Sequence, residues 1–119
     1  MKRLNLDETW RLCLRMWTWV PKEWAKDRSK DVEELKGAWM EGHGYSPSDV
    51  YADCFFCEYA KRAGNKSSPL TNPCSFCPGR RVDEDFYCMR YTYDYETKPV
   101  KFYAELKRLN KIRLAKKKK

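Results

Sequence analysis

Two cysteine pairs restrict what this chain can fold into more than any other feature. Cys54-Phe55-Phe56-Cys57 and Cys74-Ser75-Phe76-Cys77 are separated by sixteen residues. A C-x-x-C unit turns two sulfurs toward one point, and two units at this separation match a tetrahedral zinc held by four thiolates. The expected metal ligands are therefore Cys54, Cys57, Cys74 and Cys77, with Zn2+ as cofactor. A thioredoxin-type redox pair needs one C-x-x-C on a βαβ background, which the chain lacks. Six cysteines also permit a secreted disulfide framework. Against secretion, Lys2 and Arg3 are followed by Asn5, Asp7 and Glu8 where a signal peptide carries its apolar core.

A chain of 119 residues suits one domain with a modest core, which a metal staple would reinforce. Five Trp, eight Tyr and five Phe mean that this core is built from large flat side chains. The +8 formal charge is unevenly placed. From Lys98 to Lys119 eight Lys and two Arg face a single Glu, so this segment carries +9 and the remaining 97 residues carry −1. Such an end seeks phosphates or an acidic protein surface, or else forms a solvated helix with a frayed lysine tail. No run is long and apolar enough to span a membrane, and a cytoplasmic protein is the expectation.

Read in order, residues 1–45 form a Trp-rich helical part. Asn5 or Asp7 caps a first helix, with Glu8 completing a capping box, and Trp10, Cys13, Leu14 and Trp17 make its apolar stripe. Pro21 is expected to end it, leaving Trp19 and Trp24 in a charged connection. Cys13 reads as a small buried hydrophobe. Ser29 opens a second helix carrying Val32, Leu35 and Trp39, which Gly42 and Gly44 stop. Between them His43, the sole histidine, is a loop residue or an additional metal ligand.

Residues 46–96 form the zinc-binding part. Ser46-Pro47-Ser48-Asp49 has the composition of a helix start. Cys57 to Ala63 reads as two helical turns stopped by Gly64, so the first pair sits at a helix N-terminus, where thiolate is favoured over thiol. Asn65 to Pro73 is the loop that the metal closes. Phe55, Phe56 and Phe76 wall the site against water, or stack on a base or partner. Phe86 to Tyr95 alternates, with Tyr87, Met89, Tyr91, Tyr93 and Tyr95 on one face, and predicts a strand. Cys88 on the other face is buried, or replaces or supplements one of the four thiolates.

Residues 97–115 form a basic helix in which Phe102, Leu106 and Leu109 share a face, and 116–119 are a lysine tail. The expected architecture is α+β and mainly helical: one small zinc-stapled domain, a short β element and a basic C-terminal helix.

Catalysis has little support. The chain has one His between two glycines, no phosphate-cradling loop and no HExxH, and a zinc closed by four thiolates activates no water. A non-enzymatic binding protein is the expectation. The sequence of features resembles small phage-encoded zinc-binding proteins: a Trp-bearing N-terminal helix, Cys54-Phe55-Phe56-Cys57-Glu58-Tyr59-Ala60, Cys74-Ser75-Phe76-Cys77-Pro78, then Cys88 and an aromatic C-terminal part. In character it is similar to the zinc-containing anti-CRISPR inhibitors of the type II RNA-guided nuclease. That resemblance implies structural zinc on the four cysteines and a protein partner in a bacterial host cell. A DNA mimic should be acidic. This basic chain would instead bind the nuclease's protein surface and block DNA loading or a domain movement, with Arg80, Arg81, Lys101, Lys107, Arg108 and Lys111 as candidate contacts. The alternative is a nucleic-acid-binding zinc module that reads phosphate with the same cations.

Overall fold

Asn5 accepts the Glu8 N–H at 2.8 Å, and Glu8 accepts the Asn5 N–H at 3.2 Å. This reciprocal capping box starts α1 (Leu6–Lys26) in the computed structural model, which describes residues 4–45, 50, 54–67 and 76–117. The predicted helix start at 46–49, Cys74 and most of the predicted loop lie outside the described residues. Four further helices follow: α2 (Val32–Gly42), α3 (Phe55–Ser67), α4 (Pro78–Val82) and α5 (Pro99–Lys117). α1 is the hub, packing on α2, α3 and α5, while α4 joins α3 to α5. The radius of gyration, 14.1 Å, is close to the ~13.5 Å of a single compact domain of this length.

Of the predicted α1 stripe, Trp10, Cys13 and Trp17 are each at most 2% exposed and Leu14 is half-buried; Met16 and Val20, at 0%, complete the buried face. Trp10 meets Phe56 of α3 edge-on at 4.7 Å, and Trp17 meets Phe102 of α5 at the same separation. An indole of this size buries about 150–250 Å², an upper limit of roughly 4–6 kcal/mol each. Phe102, Leu106 and Leu109 form the buried face of α5, as their spacing predicts. Thr18 on α1 and the Tyr103 hydroxyl on α5 hydrogen-bond at 2.8 Å.

Three boundaries differ from expectation. Pro21 lies inside α1 and does not end it. The ring removes the bond to the Trp17 carbonyl, a cost of about 3 kcal/mol. Burial of Val20 and Pro21, with Trp24 packed on the core beneath the Arg28 guanidinium at 3.6 Å, offsets it. Asp31, and not Ser29, caps α2, accepting the Glu34 N–H at 2.8 Å. Ser29 instead donates to Asp27. α3 passes through Gly64 to Ser67. Gly44, with φ +84°, supplies the left-handed residue after α2.

The predicted strand over Phe86–Tyr95 is not formed; among the described residues there is no strand. An isolated strand has no ladder partner to satisfy its amides. Here the N–H groups of Phe86, Arg90 and Tyr93 close turns onto Asp83, Tyr87 and Arg90, and Tyr95 N–H reaches the Cys88 carbonyl at 3.1 Å. Asp83 and Asp94 accept the N–H two residues on, at 3.0 and 2.8 Å, the short-range bonding that makes Asp a turn residue. The aromatic alternation therefore does not divide two faces of a sheet. Phe86 is buried, Tyr93 and Tyr95 pack against the core, and Tyr87, Met89 and Tyr91 stay exposed.

Phe86 is held face-on against Gly79 of α4. A Cβ on Gly79 would stand 2.8 Å from Phe86 Cδ1 and 2.9 Å from Cε1. Ala gains up to ~1 kcal/mol in helix propensity. Forcing aside a ring that is 2% exposed costs ~1–3 kcal/mol, so strain wins. Gly79→Ala should lower unfolding free energy by about 1–2 kcal/mol in urea titration, and Gly79→Ala with Phe86→Leu should recover part of the loss. A stabilised Gly79→Ala protein would show that the contact is absent in solution.

Candidate metal centre

The first knuckle is built by the start of α3. Cys54 precedes the helix, and its sulfur accepts the Cys57 N–H at 3.4 Å. The second is built by α4, for which Cys77 is the N-terminal cap residue; its sulfur makes no capping hydrogen bond, and the Gly79 and Arg80 N–H groups favour its charged form only against a larger cost of burial. Pro78 at the first helical position fixes φ where no amide donor is needed. At α3 a free N–H group is thus turned onto a sulfur, the arrangement that favours thiolate.

The thiols share one electrostatic neighbourhood. The Cys57 thiol donates to Cys54, and Lys36 and the Cys57 and Phe56 N–H groups add to it, against burial, to bring Cys54 down to about 6. Cys57 is pushed well above the ordinary thiol range, because Cys54 holds its proton and because it is desolvated near Cys54, Cys88 and Cys77. Burial and then the Cys54 charge push Cys77 up to about 12. Cys13, 1% exposed on α1, is raised by burial and by Cys54 and Cys77. One thiolate is tolerated without metal, and a dication would displace the remaining protons.

Among the described residues no three His, Cys, Asp or Glu side chains form a ready coordination shell. The structure gathers Cys54, Cys57, Cys77 and Cys88 into one region with Cys13 beside them, while the expected ligand Cys74 lies outside the described residues. The donor set fits a soft, thiolate-seeking ion such as Zn2+. Spacing nominates Cys74 as the fourth ligand beside Cys54, Cys57 and Cys77; proximity nominates Cys88. His43 is engaged elsewhere, stacked on Trp39 at 3.8 Å with Nδ1 at 2.8 Å from the Trp39 carbonyl.

Lys36 was not singled out from the sequence, although it falls four residues after Val32 on the apolar stripe of α2. It is 3% exposed. Its ammonium lies 4.7 Å from the Tyr95 ring and 3.5 Å from Glu33, a carboxylate itself 47% exposed. It draws Cys54 and Cys13 toward the charged form. A buried ammonium costs several kcal/mol unless negative charge stands near it. Glu33 and the lowered Cys54 thiol supply that charge.

Of the cations expected to contact a partner, three are tied down internally. Arg108 bridges Asp83 at 3.1 Å and Glu105 at 2.5 Å. Arg81 donates to the Tyr59 hydroxyl at 3.1 Å, and Arg80 to the Glu84 carbonyl at 3.3 Å. Lys107 lies 4.6 Å from the Tyr103 ring. Lys101 and Lys111 are exposed on α5. Phe55 and Phe56 are buried in the aromatic core and offer no face for stacking, and Phe76 is half-buried. Comparison with protein-family models, curated proteins and solved structures finds no match.

Zinc should bind reduced protein with one equivalent per chain, more tightly as pH rises from 6 to 8, by about tenfold per pH unit for each proton displaced. Cys54→Ser should abolish this and melt much of the near-UV signal. Comparing Cys74→Ser with Cys88→Ser by competition with a chromophoric chelator identifies the fourth ligand, and undiminished binding in Cys54→Ser would exclude the site. Lys36→Met should leave the metal-free protein as stable or more so, yet weaken zinc by about tenfold, with Lys36→Arg restoring it. Equal zinc affinity in Lys36→Met would show that the ammonium answers some other charge.

Proposed function

We propose that this chain is a non-enzymatic binding protein whose scaffold is stapled by zinc on Cys54, Cys57, Cys77 and either Cys74 or Cys88. The observation that carries the reading is the convergence of α1, α3, α4 and the 83–98 turns on one thiol neighbourhood containing a buried counter-cation. A zinc saturated with sulfur has no open position for substrate or water, so its role is to fix shape. The resemblance to anti-CRISPR proteins extends this to a target: the type II RNA-guided nuclease, bound at its protein surface so that DNA loading or a domain movement is blocked.

Protein binding is favoured over nucleic-acid binding by where the cations are spent. Arg108, Arg113 and Lys117 pair with Asp83, Glu105 and Asp7. Each must give up an internal carboxylate to neutralise a phosphate. The exposed Tyr87, Met89 and Tyr91 are residues of a kind enriched at protein interfaces. No helix among the described residues is long and apolar enough to cross a membrane.

Co-elution of the zinc-loaded protein with the purified nuclease and inhibition of target cleavage are the expected results, both lost in Cys54→Ser. Intrinsic affinity for duplex DNA or RNA should be negligible at physiological salt. Binding to nucleic acid that falls steeply with salt, with no nuclease complex, would replace this reading by the alternative.

A further inference from the structure

One groove unites two chemistries that the thiol centre does not use. Its floor is apolar, made by Leu6 and Trp10 of α1 and Pro78 and Val82 of α4, and it encloses about 260 Å³. Its rim is cationic: Arg81 from α4, then Arg113, Lys116 and Lys117 from α5. Asp7 is shared by Arg113 at 2.6 Å and Lys117 at 2.8 Å. Both cations hold it well below the usual carboxylate range, Lys117 most strongly. One carboxylate therefore answers two cations, and Arg81 and Lys116 add to the surplus. In the floor, the Trp10 indole N–H is buried without an acceptor among the described residues. Buried donors are seldom left so, because an unmet one costs about 1–3 kcal/mol.

An apolar floor inside a positive rim suits a ligand with carboxylates flanking an aliphatic side chain. It does not suit a nucleic-acid base, which needs an open ring face. Trp10 is 1% exposed, with Phe56 packed on it at 4.7 Å and the Arg113 guanidinium 5.0 Å from its ring. The floor is otherwise aliphatic, and a volume of about 260 Å³ takes one or two side chains, not a strand of nucleotides.

We propose that this groove binds an acidic segment of a partner protein, its Glu or Asp carboxylates pairing with Arg81 and Lys116 and a neighbouring Leu, Ile or Val seated on the half-buried Leu6 and Val82. The inference rests on the protein-binding reading above and names the chemistry of the partner. Formation of α4 ties the groove to the thiol centre, since Cys77 caps the helix that supplies Pro78, Arg81 and Val82.

The test uses zinc-loaded full-length protein and a blocked peptide, Glu-Glu-Leu-Glu-Glu repeated twice, followed by the amide and indole resonances in a heteronuclear spectrum. A saturable shift of the Trp10 indole resonance is expected, weakened by salt and by about tenfold in Arg81→Glu with Lys116→Glu. Neither rim side chain holds the core, so this variant should melt with wild type; Arg81→Gln with Lys116→Gln serves if it does not. No Trp10 shift, unchanged affinity in the rim variants, or equal occupancy by a charge-matched oligonucleotide would overturn the assignment. A nuclease complex that survives both rim variants would remove the groove and leave the proposed function standing. Peptide binding without a nuclease complex would remove that target and leave the groove.

Discussion

A buried ammonium and a buried thiolate each carry a desolvation cost that neither would meet alone. Lys36 projects from α2 into the same interior that receives Cys54, at the mouth of α3. The helix amides around Cys54 and Cys77 supply only partial charges. Glu33 at 3.5 Å answers part of the Lys36 charge, and the sulfurs can add to it either as several thiolates with a metal ion or as one thiolate with its neighbours protonated. The second state is what the thiols adopt by themselves, with Cys54 lowered and Cys57 and Cys77 raised. The first would carry two net negative charges around zinc, one of which the Lys36 ammonium would balance.

Helices as short as α4 hold their places through their surroundings. Five residues give too little hydrogen bonding to form a helix unaided. Capping by Cys77, the Pro78 start and the Phe86 ring against Gly79 fix it from three sides. The turns from Asp83 to Lys98 are similarly held by Phe86, Tyr93 and Tyr95 against Phe102, with no ladder of their own. Regular secondary structure is replaced there by ring contacts and by Asx turns.

Features whose cause is local were readable from the chain. The Asn5–Glu8 box, the stripes of α1, α2 and α5, and the placing of a C-x-x-C at a helix start each depend on spacing within a few residues. The misses have causes that no window contains. Pro21 is carried through by what packs around it. Phe86 to Tyr95 has a strand's alternation but no second strand to pair with. Cys13 scans as an ordinary stripe residue, and only the tertiary arrangement of α3 and α4 brings Cys54 and Cys77 to it. Lys36 did leave a sequence signal, a charge at an apolar position of the α2 stripe, but its burial depends on tertiary packing.

The cationic end of the chain shows how net charge misleads when read alone. A +9 segment appears free to seek phosphate. In three dimensions it serves first as a clamp, because Arg113 and Lys117 reach across to Asp7 at the start of α1, and Arg108 reaches Asp83 beside α4. These pairs are partly exposed and individually weak. Their value lies in registering α5 against the two helix ends that frame the groove, so the same charges orient the apolar floor and leave a positive surplus above it. A nucleic-acid module would keep its cations clear of internal carboxylates along a continuous track. A site that spends some cations on positioning and presents the rest around aliphatic side chains can discriminate shape as well as charge, in keeping with the proposal of an acidic protein segment as its ligand.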